Sequence, residues 1–165
     1  MIYEMAQWIS DSALGIFVSE SPTAFPWLET IHVIAISLVF GCILIVDLRI
    51  VGMASMQHAA SKISNSLLPL TWIMFAIALI TGIGMFANAG VRYLETTAFV
   101  IKMLLILLAG INMLIFHRGA YAAVVNWDET TDIPNAARIA GLISIACWVG
   151  VVITGRFIGF TITHF

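Results

Sequence analysis

The chain has 165 residues, 61% hydrophobic and 10% charged, with a formal net charge of −2 and a mean hydropathy of +1.05. Soluble domains carry about 45–50% apolar and about 25% charged residues, and a globule this small keeps much of its surface in water. A soluble domain is therefore excluded, and without a basic surplus so is nucleic acid as a partner. The expected solvent is the lipid bilayer.

Taken in order, residues 2–18 space Ile2, Met5, Ala6, Ile9, Ala13 and Ile16 near helical period, with Glu4, Asp11 and Ser12 on a polar side. The stretch is too short and too polar to cross about 30 Å of hydrocarbon. It reads as an amphipathic helix lying in the interface. Pro22 and Pro26 then break the chain, so residues 1–26 form an interfacial helix and linker. The acidic N-terminus lacks the positive region of a signal peptide, which leaves insertion to the first span.

Residues 27–165 read as one domain of four spans, at about 27–51, 67–89, 97–116 and 136–160, each near the 20 residues a helical crossing needs. The first is expected to continue as helix toward His58. Pro69 marks the entry to the second, and 118–135, with WDETTDIPN, reads as an exposed acidic loop. No segment alternates with period two, so a barrel is excluded. The fold class is all-α, a polytopic four-helix transmembrane bundle behind an interfacial helix. Trp27, Trp72, Tyr93, Tyr121, Trp127 and Phe165 fall near span ends, as interfacial aromatics do. Gly82, Gly110, Gly141, Gly155 and Gly159 suit close helix packing, and Cys42 and Cys147, both in apolar runs, are packing residues.

Call the N-terminal face side A. Arg92, Lys102 and Arg156 lie toward it, whereas Arg49, Lys62, Arg118 and Arg138 lie toward side B. The positive-inside rule puts side B in the cytoplasm and both termini on the periplasmic side of an inner membrane.

Ionisable residues inside spans mark functional sites by default. On side A, Glu29 and His32 are three apart and share a helix face. Lys102 enters the third span, and Arg156 the fourth, at a similar depth, with Thr81 near the same end of the second. The competing explanation is snorkelling of the long cations to the headgroups. On side B, Met113 and His117 are four apart, with Met53, Met56 and His58 after the first span and Met74 entering the second. Thioethers with imidazoles suit Cu(I), against the plainer role of Met as a core filler. Lys102, Ala109, Met113 and His117 also fall within about 80° on the third helix at about 100° per residue, a stripe able to line the interior. Phosphate loops, paired cysteines, zinc-protease motifs and nucleophile elbows are absent.

The segments IHVIAISLVFG and DLRIVGM in the first span, FVIKMLLILLAGIN in the third and GRFIG in the fourth carry a resemblance. They resemble an uncharacterised group of small four-helix bacterial inner-membrane proteins. More distantly they resemble the CopD-type copper-resistance domain and the HemJ-type haem-binding protoporphyrinogen oxidase. The HemJ-type resemblance implies haem b held by His32 and Lys102; the CopD-type resemblance implies copper passage. DLR stands where the HemJ pattern has a Pro-Arg pair, and the second His, His58, lies farther on, so protoporphyrinogen oxidation is not carried over.

Three functions follow as expectations. The first is a haem b-binding redox protein, with His32 as axial ligand and Lys102, Arg156 and Glu29 around the cofactor or an anionic substrate. As a haem-dependent membrane oxidoreductase it would exchange electrons with a membrane or periplasmic partner; no sixth ligand is identified, since His164, on side A, falls outside the hydrocarbon. The second is a copper-binding or copper-transport protein using His117, Met113 and His58. The third is an accessory subunit of a membrane complex, or a homo-oligomer, whose polar residues bind partners.

Overall fold

The computed structural model describes residues 1–54, 57–128 and 133–162. Seven α-helices run in the order α1 (Ile2–Ser10), α2 (Ala13–Glu20), α3 (Ala24–Val51), α4 (Ala60–Asn88), α5 (Gly90–Glu95), α6 (Thr97–Arg118) and α7 (Asn135–Ile162). A 3-10 stretch, Ala120–Asn126, follows α6. Helices α3, α4, α6 and α7 are long and apolar enough to cross a membrane. The chain is a multi-pass helical membrane protein, as its composition requires.

The expected single N-terminal helix is two. Ser12 caps α2, its hydroxyl accepting from the Gly15 amide at 3.3 Å, which breaks the helix where a polar triplet offers a local acceptor. The break also seats Gly15 close to the carbonyls of Ser10 and Ala87; any Cβ there would collide with both. Ala6, Gly15 and Val18 are buried where α1 and α2 pack on α4 and α5.

All four spans are longer than the expected bounds. Helix α3 begins three residues before Trp27, because Pro26 sits in its first turn, where a missing N–H is harmless. It ends at Val51 instead of continuing toward His58. Gly52, at φ 88°, adopts the left-handed conformation that stops a helix and returns its amide to the Arg49 and Leu48 carbonyls. Helix α4 begins at Ala60, seven residues early, with Pro69 inside it. Its first turn is capped from far away: the Asp128 carboxylate accepts from the Ser61 amide at 2.7 Å and from the Ser61 hydroxyl. Helix α6 runs two residues past the expected end, and α7 is extended slightly at both ends.

Helices α3 and α4 pair along their length, as do α6 and α7, and α3 joins the two hairpins by packing on α7. No comparable packing joins α4 to α6. The middle of the bundle is filled by Val39, Ala109, Cys147, Trp148 and Val151. A second apolar cluster, around Ile50, Ala60, Trp127, Ile133 and Ala137, closes side B. A third, around Ala89, Tyr93 and Ile158, closes side A.

The aromatics at span ends divide. Trp27 and Trp72 are 66% and 51% exposed, as interfacial residues should be, but Tyr93 and Trp127 are buried at 6% and 3%. Each plugs one end of the bundle. Trp127 also corrects the loop: it and Ile133 are buried in the side-B cluster, whereas Arg118, Gly119, Ala122 and Pro134 of the same connection are exposed. Phe165 and residues 129–132 lie outside the described residues.

Candidate functional site

His32 sits on α3 about 12 Å from its start, Thr81 about 10 Å from the end of α4, Lys102 about 8 Å into α6 and Gly155 about 10 Å from the end of α7, at ~1.5 Å per residue. The four spans thus contribute at one level below side A. His32 Nδ1 lies 3.0 Å from the Thr81 hydroxyl. That hydroxyl also lies within hydrogen-bond reach of the Ile77 and Ala78 carbonyls of its own helix, at 2.8 and 3.2 Å, and the direction of the Nδ1–Thr81 bond follows the ring tautomer. The ring rests edge-on against Gly82, where a Cβ would stand 3.2 Å from Cε1. The ring also has a backbone hydrogen-bond partner in Ala78, one turn before Gly82.

Lys102 is the charged group within electrostatic range of the His32 ring. Its ammonium packs toward Gly155, 3.8 Å from where a Cβ would be, and it makes no ion pair or hydrogen bond with any described residue. Two basic groups thus face one another half-buried in the bundle without an acid between them.

Glu29 and Arg156 do not join this pair. Glu29 is exposed one turn nearer the aqueous end, where the Tyr93 hydroxyl feels its charge. Arg156 is exposed and lies over the Phe160 ring, 4.8 Å from its centroid. Tyr93 packs against Phe86 and Phe99, with ring centroids 6.0 and 5.5 Å away. Burial, then the Glu29 charge, pushes its phenol above the ordinary tyrosine range, and Arg92 opposes the shift. A group with a raised folded value contributes its stability in full below the unfolded value, near pH 10, and loses it as pH climbs through the folded one. Tyr93→Phe is expected to flatten the alkaline fall in unfolding midpoint above about pH 10; an unchanged alkaline limb would remove Tyr93 as its source.

On side B, His117 Nδ1 bonds the Met113 carbonyl of its own helix at 2.9 Å, and its ring lies 5.0 Å from Tyr121. Met113 is 40% exposed, so the α6 stripe faces inward at Lys102 and Ala109 and turns out by Met113. Met53 and His58 are exposed on the turn after α3, and no hydrogen bond or ring contact ties them to His117. Met74 packs against the central core. Met56 and His164 lie outside the described residues. Among the described residues no three His, Cys, Asp or Glu side chains gather as a metal site.

What side B does hold is a buried polar knot that charge counting overlooks. Arg49 is 0% exposed; Nε donates to the His58 carbonyl and Nη2 to the Asp128 carbonyl, both at 2.8 Å. Asp47 is 7% exposed and faces Ser144 on α7. Asp47 Oδ2 and Arg49 Nη1 are buried without hydrogen-bond partners. The available signal was the DLR triplet, two opposite charges closing an apolar run.

The fold and this His–Lys pair define a small polytopic helical membrane protein with an uncommitted basic site near one face. The chain belongs to a family of unknown function, DUF6644, whose pattern matches residues 5–161. No curated protein and no solved structure matches it.

Proposed function

We propose that the chain is an integral membrane redox protein that holds haem b near side A, with His32 as the axial imidazole. The observation that carries the reading is the Thr81 hydrogen bond. A hydrogen-bond partner at the second ring nitrogen is the usual support of a metal-ligating histidine; in this reading Nδ1–H donates to Thr81 and Nε2 is the nitrogen offered to the iron. The remaining chemistry of the site fits the same group. Haem carries two carboxylates, and Lys102 is an uncommitted ammonium within range of the His32 ring. Helices α4 and α6 make no close backbone approach, so the ligand would enter between them.

Haem would supply one-electron chemistry, its potential set by the axial ligand and by burial. The chain's own part is to orient the imidazole through Thr81 and Gly82, to balance carboxylate charge through Lys102, and to limit water through the Phe86–Tyr93–Phe99 cap. The test is the absorption spectrum and haem content of detergent-purified protein. A Soret band with stoichiometric haem supports the reading; a folded, colourless protein expressed with haem in excess overturns it. Thr81→Val removes the acceptor and keeps the shape. It is expected to weaken haem retention about 10–100-fold, the usual effect of losing a second-shell partner, as read by transfer to apomyoglobin.

A further inference from the structure

The guanidinium of Arg156 is turned out of the bundle onto Phe160, among exposed Ile153 and Phe157 on a face of α7 that meets lipid. Among the described residues it has no hydrogen bond and no ion pair. A guanidinium does not give up its proton, so in this shell it needs water or an anion. Arg156 lies about 9 Å from the end of α7 at ~1.5 Å per residue. Phe160 is one turn nearer that end, so the stack carries the charge along the helix toward the membrane surface, as snorkelling requires. The anion met at that level is the phosphate of a phospholipid.

Stacking on the ring also restricts the guanidinium plane, and a fixed fork suits two parallel hydrogen bonds to phosphate oxygens. We propose that Arg156, held by Phe160, seats the phosphate of an anionic glycerophospholipid in the leaflet on side A. Anionic headgroups fit better than zwitterionic ones, because a headgroup ammonium competes with the guanidinium for the same phosphate.

The test is native mass spectrometry of the full chain, delipidated and then exposed to phosphatidylglycerol, to phosphatidylcholine or to inorganic phosphate. Phosphatidylglycerol is expected to stay bound to the native protein, with retention falling on the order of tenfold in Arg156→Gln, the effect of losing one charged hydrogen-bonding group. Phe160→Leu keeps the charge but frees it, and is expected to give an intermediate loss. Equal phosphatidylglycerol retention by native protein and Arg156→Gln overturns the proposal. So does phosphatidylcholine held as well as phosphatidylglycerol, or inorganic phosphate alone protecting the protein equally in a thermal-shift assay. None of these readouts depends on haem.

Discussion

His32→Ala is expected to yield a folded protein that has lost its Soret band, with haem content falling to background. The expectation separates ligand loss from collapse because of where the imidazole sits. His32 is half-buried, bonds Thr81 and the Ala78 backbone, and leans on Gly82. Truncation leaves the Thr81 hydroxyl still donating to the Ile77 carbonyl, so no buried donor is orphaned on α4. The helical circular dichroism signal and the size-exclusion profile should be unchanged. Lys102→Gln tests the other half of the pair. It keeps length and polarity, removes the charge, and should weaken haem retention less than His32→Ala does. Full haem content in His32→Ala would mean that the iron is held elsewhere and would sink the assignment.

The largest loss of stability is expected at the opposite face. Arg49→Ala deletes two charged hydrogen bonds, each worth about 1.5–3 kcal/mol, and leaves the His58 carbonyl without the guanidinium and the Asp128 carbonyl with only the Ala60 amide at 3.4 Å. The expected cost is about 3–5 kcal/mol, read as a fall in unfolding midpoint in mixed micelles. Arg49→Lys should recover only part of it, since one ammonium cannot reproduce a planar fork directed at two separate loops. Haem content should stay near native, because the knot lies at the far end of α3 from His32. A native midpoint in Arg49→Ala would show that side B is held by its apolar cluster alone.

The span pattern was legible because each crossing needs an uninterrupted apolar run, and nothing distant alters that requirement. Where the helices begin and end was less so. The start of α4 depends on the Asp128 carboxylate, 67 residues away from Ser61, and no local signal near Ala60 anticipates it. Pro26 looks like a breaker and Pro69 like the entry to a span, but both sit inside helices, Pro26 in a first turn and Pro69 nine residues into α4. At the site, shared depth brought His32 and Lys102 together correctly, since axial position follows from residue count. Arg156 shared that depth and still points away. Its direction is set by rotation about α7, which places Gly155 toward Lys102 and its neighbour outward. The buried Tyr93 and Arg49 were hidden for a similar reason: a residue near a span end looks interfacial until a loop or a short helix covers it.

The remote cap on α4 has a consequence for the order in which the molecule can be made. When the first two spans have left the ribosome, Ser61 has no acceptor and Arg49 has only the nearby His58 carbonyl. Residue 128 is synthesised 67 positions after Ser61, several seconds later at about 5–20 residues per second. Until then the first hairpin cannot close its side-B end, and the arrival of the third span's trailing loop completes both contacts at once. The C-terminal half of the chain is in this sense the template on which the N-terminal half finishes folding.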